Sequence, residues 1–131
     1  MTRFGIDSAA LLLLVERELP VAPGHSLVAP NRVLPDLLAV LLADVRNGAR
    51  TEKGALQLHT RATETKIRLL GDRVSRRTAW DLALEHGWDL RDAEYLAVTK
   101  LQADALVTGD PHLATLAAGI VPVLGLDRLS S

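Results

Sequence analysis

The chain has 131 residues, 48% of them hydrophobic, with a formal net charge of −1 and no cysteine. That is the length of one domain, able to bury roughly two-thirds of its unfolded surface. Thiol nucleophiles, zinc–thiolate sites and disulfides are excluded, and with only Phe4, Trp80, Trp88 and Tyr95 as aromatics so is a stacking platform for single-stranded RNA. Lack of cysteine fits a reducing compartment. The longest apolar run, AALLLLV at 9–15, is too short to cross a bilayer. Asp7 interrupts its approach and no small-residue cleavage site follows, so no signal peptide is expected. The expectation is a cytoplasmic domain spanning 1–131, with no membrane partner.

In chain order, RFGI at 3–6 predicts a short strand ending at Asp7. Ser8 to about Glu18 predicts a helix, stopped before Pro20, and residues 20–26 a loop. LVA at 27–29 predicts a second strand. A helix follows from near Asn31 to about Arg46, with Val33, Leu34, Leu37, Leu38, Leu41, Leu42 and Val45 in a 3.6-residue pattern and Asn47-Gly48 at its end. Residues 51–64 predict a third helix, interrupted by Gly54, and KIRLL at 66–70 a buried strand. Residues 75–86 predict a helix capped by Ser75 and closed by Gly87; residues 90–102 predict another. ALVT at 105–108 predicts a strand, 111–118 a short helix closed by Gly119, and VPVLGL at 121–126 a last strand whose Pro122 marks an edge. Trp80 and Trp88 are assigned to core packing.

Strands alternating with helices imply an α/β fold: three α/β/α layers around a mostly parallel sheet of 4–5 short strands. Ligands in such sheets bind beyond the carboxyl ends of the strands. Asp7 follows the first strand and Asp110 the fourth, so both belong to one edge. A basic zone, Arg61, Lys66, Arg68, Arg73, Arg76 and Arg77, with Arg46, Arg50 and Lys53 upstream, suits a polyanion or equally a solvated helix face.

Each candidate acid has a capping explanation. Asp110-Pro111 resembles an N-cap followed by proline at the first helical position. Asp7 suits a cap before Ser8, Asp89 with Asp92 a weak capping box, and Asp36 the positive end of a helix dipole. Capping alone does not account for carboxylates converging on one edge, where they repel each other. A divalent ion relieves that repulsion, and Mg²⁺ prefers carboxylate and water oxygens while leaving room for a substrate phosphate. Capping and metal binding are compatible, because a carboxylate has two oxygens. Glu94 and Asp104 are assigned to solvent, and His112 to a helix surface. No phosphate loop, His-Glu-x-x-His pair or nucleophile elbow is present.

FGIDSAALLLLV, LVAPNRVLPDLLAVLL, LRDAEYLAVTKLQADALVTGD and VPVLGL, in this order and spacing, resemble the PIN-domain family, specifically VapC-type toxin ribonucleases. The third stretch is the most specific. The resemblance covers nearly the whole chain. It implies a PIN-like fold and a ribonuclease that hydrolyses RNA phosphodiesters with Mg²⁺ or Mn²⁺. It implies Asp7, Asp92 and Asp110 as metal ligands, Asp36 as a fourth catalytic acid, and Ser8 and Thr108 in support. A homodimer and a cognate antitoxin partner are also implied, with the leucine-rich second helix and the helix after it as surfaces. Arg46, Arg50, Arg73, Arg76 and Arg77 are the candidate RNA-backbone contacts. The sequence departs from the family where glutamate and asparagine usually stand, having Asp36 and Ala39. That departure keeps a catalytically weak scaffold domain as an alternative. A phosphoacceptor receiver domain is a further one, but Asp7 lacks a second acid beside it and Lys100 falls mid-helix.

Overall fold

The structure, a computed structural model, describes residues 1–131. The first half comprises β1 (Thr2–Ile6), α1 (Ser8–Glu16), β2 (His25–Pro30), α2 (Val33–Arg46) and α3 (Glu52–Glu64). Then come β3 (Arg68–Leu70), α4 (Arg73–His86), α5 (Leu90–Gln102), β4 (Ala105–Val107), α6 (Pro111–Ala117) and β5 (Val123–Leu124). A 3-10 turn, Leu126–Leu129, closes the chain. The sheet has the order β3-β2-β1-β4-β5, and every neighbouring pair is parallel.

This is the three-layer α/β/α arrangement expected, with the sheet wholly parallel. The chain steps from β1 outward to β3, then returns past β1 to β4. Right-handed crossovers change face when the direction of travel reverses. Helices α1, α2 and α3 accordingly pack together, while the α4–α5 pair covers the other face through α5, against β1, β2 and β4. The reversal leaves a crevice beyond the carboxyl ends of β1 and β4, the usual ligand position in such sheets.

Two local features set that crevice. The register pairs Ile6 with Val107, so Asp7 and Thr108 leave the sheet side by side. Gly5 lets α5 lie directly on β1: a Cβ at Gly5 would fall 2.0 Å from Thr99 Oγ1 and 2.9 Å from Thr99 Cβ. Thr99 is buried and donates its hydroxyl to the Tyr95 carbonyl at 2.9 Å. The glycine thus brings the helix carrying Asp92 and Tyr95 close to the strand carrying Asp7. Phe4 and Ile6, flanking Gly5, are fully buried with Leu11, Leu37, Leu96 and Leu106.

Several boundaries differ from the sequence reading. Helix α1 ends at Glu16, and Glu18 takes φ 51°, a left-handed conformation that stops the helix two residues early. Strand β2 is longer than expected, and α2 begins at Val33. KIRLL is not a buried strand: only Arg68–Leu70 pairs, on an outer edge beside β2, with Arg68 and Leu69 exposed. Ser75 does not cap α4. Asp72 does, accepting from Ser75 N at 2.9 Å, and Ser75 is buried in the first turn. The last strand shrinks to Val123–Leu124 at the opposite edge. Trp80 is 59% exposed instead of in the core, and Trp88, half-buried, stacks on His86 with centroids 4.3 Å apart. In α2 only Val33, Leu37 and Leu41 are buried, so Leu38 and Leu42 of the predicted apolar stripe face outward.

Gly5→Ala is expected to destabilise the fold by about 1–3 kcal/mol, the usual range for overpacking. Thr99→Ala in the same chain should restore part of the loss. Denaturant midpoints of the two variants and wild type check this; an unchanged midpoint for Gly5→Ala would contradict so close a contact.

Candidate active site

The crevice is a cavity of about 580 Å³ whose lining includes Asp7, Ser8, Asp36, Asp92, Asp110, Arg91 and Tyr95. Four elements therefore supply its acids: the two strand ends give Asp7 and Asp110, and the starts of α2 and α5 give Asp36 and Asp92.

Asp7 lies deepest, 3% exposed. As the N-cap of α1 its Oδ1 accepts from Ala10 N at 2.8 Å, and Gly109 N approaches the same oxygen at 3.4 Å. Oδ2 accepts from the Thr108 hydroxyl. That hydroxyl also accepts from Asp110 N at 2.9 Å, so Thr108 bridges the two acids across the strands. Burial pushes the Asp7 carboxyl above the ordinary carboxylate range, against its three hydrogen bonds; nearby Asp110 pushes the same way.

Asp110 is the N-cap of α6, taking His112 N on Oδ1 at 2.9 Å with Pro111 at the first helical position. Its other oxygen accepts no hydrogen bond from the protein. Asp92, third residue of α5, accepts none on either oxygen; the His112 imidazole stands nearby, Nε2 3.6 Å from Oδ2. Burial raises the Asp92 carboxyl too, opposed by His112 and aided by Asp89 and Asp110. Asp89 itself is a cap, accepting from Arg91 N at 2.8 Å.

Asp36 is differently placed. Its carboxylate meets Arg32 Nε at 3.1 Å and the Tyr95 hydroxyl at 2.6 Å, with Arg91 Nε at 3.9 Å. Burial first, then Asp36, pushes the Tyr95 phenol far above its ordinary range, so it stays a donor. Arg32 also donates to Glu94 at 3.0 Å. Glu94 is therefore a paired group, not the solvated charge expected from sequence. Asp104 accepts from Arg3 N at 2.8 Å, pinning the start of β1.

The structure brings Asp7, Ser8, Asp36, Asp92, Thr108 and Asp110 together. It does not bring the chosen arginines to them. Arg50 binds Glu16 and Asp44 at the far end of α2, and Arg77 pairs with Asp81 along α4. Arg76 donates to the Gly71 carbonyl beside a separate cavity. Arg73 and Arg46 are exposed near the ends of α4 and α2. The cations at the acids are Arg32 and Arg91, which the sequence reading passed over. Their signal was spacing: Arg32 stands four residues before Asp36, one helical turn. His112, expected on a plain helix surface, stands at the rim.

A divalent ion fits this donor set in kind. The donors are all oxygen, Asp92 and Asp110 keep unengaged carboxylate oxygens, and Asp110 raises the proton affinity of both Asp7 and Asp92. No three acid or histidine side chains are gathered closely enough to enclose an ion by themselves. The set suits a partly hydrated ion better than an all-protein cage.

Fold and crevice together define a PIN/VapC-like α/β architecture. PAE2754 from Pyrobaculum aerophilum superposes with a TM-score of 0.71 at 19% identity, covering 98% of this chain and 93% of that one. VapC20 from Mycobacterium tuberculosis, described as a Sarcin-Ricin loop cleaving toxin, superposes with a TM-score of 0.62 at 18% identity, over 92% of this chain and 97% of that one. No family model and no curated protein matches the sequence. No helix is long and apolar enough to cross a membrane.

Asp7→Asn is expected to raise thermal stability in EDTA at neutral pH. Folding raises this carboxyl's proton affinity, so the native state holds the proton more tightly than the unfolded chain, and the charged form opposes folding. The opposition is present above the raised native value and disappears below the ordinary carboxylate range, where both states are protonated. Melting curves of wild type and variant should separate at neutral pH and converge on acidification. A variant melting below wild type at neutral pH would contradict the burial penalty.

Proposed function

We propose that this protein is a divalent-metal-dependent endoribonuclease, the toxin of a toxin–antitoxin pair. The observation that carries this is the convergence of Asp7, Asp92 and Asp110 on one cavity at the β1–β4 crevice of a PIN-like fold. Asp7, Asp92 and Asp110 would hold Mg²⁺ or Mn²⁺. When bound, such an ion supplies charge stabilisation at the phosphorus undergoing displacement. The chain's own groups do the rest. Thr108 fixes the Asp7 carboxylate and the Asp110 backbone relative to each other. Arg32 and Tyr95 fix Asp36 at the rim, where its role is to order the wall and the guanidinium beside it. Asp36 is one methylene shorter than glutamate and, unlike the other three acids, is paired with two guanidiniums, so we assign it to positioning and not to direct coordination.

The dimer and antitoxin surfaces belong to the same reading. Between α2 and α3 lies an apolar groove of about 460 Å³ lined by Leu38, Leu41, Leu42, Val45, Ala55 and Leu56. Leu38, Leu42 and Leu56 are each more than two-fifths exposed, an apolar surface of the kind that marks interaction sites. The sequence resemblance to VapC-type toxins, which implies a homodimer and an antitoxin, supports assigning such a groove to protein partners. The cytoplasm is the compartment that fits a cysteine-free enzyme acting on RNA.

Pooled structured RNA should be cut with Mg²⁺ or Mn²⁺ and left intact with EDTA. Asp92→Asn should reduce the rate by at least about a hundredfold, and Asp36→Asn by roughly ten- to a hundredfold, as for groups that orient ligands. No cutting by a folded wild type with either ion would leave the scaffold reading in its place. Equal losses in the two variants would return Asp36 to the ligand set.

Leu42→Lys with Leu56→Glu should leave a folded chain that elutes as a monomer, where wild type elutes as a dimer. Identical sizes for both would remove the groove from the interface.

A further inference from the structure

A second cavity, of about 230 Å³, opens at the same edge of the sheet, beyond the carboxyl ends of β2 and β3. The two cavities have no lining residue in common, but the Arg32–Asp36 contact links them. Arg32, whose Nε holds Asp36 on one side, lines this cavity on the other, and its Nη1 holds Glu94 at 3.0 Å. Asn31, Gly71, Ser75 and Arg76 complete its polar lining. The volume is smaller than the roughly 300–1,000 Å³ of sites that enclose whole small molecules. Its occupant is therefore a group, not a molecule.

The lining states the chemistry of that group. Glu94, the one acid in the lining, pairs with Arg32, which also holds Asp36; the second lining cation is Arg76, with the α4 cap Asp72 four residues before it. Arg76 donates one N–H to the Gly71 carbonyl, which anchors its head beside the cavity and leaves its other donors unengaged. The second terminal nitrogen of Arg32 has no hydrogen-bond partner either. The Asn31 amide makes no hydrogen bond within the chain and rests against Gly71, where a Cβ would come within 2.0 Å of its Nδ2. Gly71 keeps that space open. The cavity thus offers donors from two guanidiniums and one amide, and its lining carries two cations against one carboxylate. That set is complementary to a phosphodiester.

We propose that this cavity binds a backbone phosphate of the RNA next to the one at the acids, with Arg76 and Asn31 as its contacts and Arg32 as the wall that spaces the two phosphates. The proposal rests on the nuclease reading for the identity of the polyanion. It assigns Arg76 a local contact that a diffuse basic face does not require, and it gives the strand a direction across the edge, from β1–β4 toward β2–β3.

The test measures binding of a short single-stranded oligoribonucleotide to the full chain in EDTA, where no turnover occurs, at several salt concentrations. Arg76→Gln should weaken binding severalfold and lower the salt slope by about one. Arg76→Lys should recover most of both. Asn31→Asp, which places an anion in the cavity, should weaken binding further. Arg128→Gln, at the opposite edge of the sheet, should change neither quantity. A neutral methylphosphonate moved along the oligonucleotide should cost wild type severalfold at one linkage and cost Arg76→Gln nothing there. Arg76 and Asn31 are exposed, so the variants should keep the wild-type circular dichroism spectrum.

An unchanged slope for Arg76→Gln, or equal sensitivity to the neutral linkage in both proteins, overturns the subsite; metal-dependent cutting by wild type would then still uphold the nuclease. Binding with the expected Arg76 dependence but no cutting upholds the subsite and removes the nuclease reading. A folded chain that neither binds nor cuts RNA removes both.

Discussion

The Asp7 carboxylate, sealed from solvent and held by Ala10 N, Gly109 N and the Thr108 hydroxyl, ties together the two halves of the acidic edge. It caps α1 and grips the turn after β4 at once. A buried carboxylate without such partners would be costly, and even with them burial raises its proton affinity. The geometry of the crevice depends on this contact, since it fixes where β1 and β4 release their chains. Thr108 then passes the constraint on, because the same hydroxyl receives Asp110 N. Such an arrangement holds negative charge where the protein would be more stable without it, a common sign of a functional site.

Asp36 illustrates the opposite solution. Its charge is compensated inside the chain by Arg32 and Arg91 and by the Tyr95 hydroxyl. Three aspartates that repel and one that is neutralised divide the edge into a zone suited to a cation and a zone suited to an anion. Arg32 links the two, lining the Arg76 cavity and holding Asp36, which lines the acid cavity. A polyanion crossing this edge meets both.

The close approach at Gly5 explains how so small a sheet supports the site. Without a Cβ on the central strand, α5 settles onto β1, and its first turn delivers Asp92 to the crevice. The exposed leucines of α2 and α3 follow from the same economy of space: only one side of α2 is needed against α1 and α3, and the remaining apolar residues stand at the surface.

Much of this was legible in residue order. Alternating strand and helix patterns, proline and glycine punctuation, and aspartates after the first and fourth strands dictate a parallel α/β sheet with acids at one edge, because connection handedness and strand direction leave few alternatives. The helix spanning 90–102 and the cap at Asp110 follow from local chemistry. The misreadings arose where the signal was not local. KIRLL has the apolar content of a core strand but lies at the edge because strand order is set by crossovers elsewhere. Ser75 has a capping side chain, yet Asp72 three residues earlier takes the position. Leu38 and Leu42 satisfy the helical period but not the burial, since periodicity defines a face and only packing says how much of it is covered. The basic zone is defined by density along the chain, whereas charge acts through space; Arg32 and Arg91 reach the acids and Arg50 and Arg77 pair elsewhere. Sequence alone determined the elements, their order and the edge that carries the acids. Tertiary structure decided which carboxylates remain unengaged and which cations stand beside them, because both depend on contacts between residues from 4 to 102 positions apart.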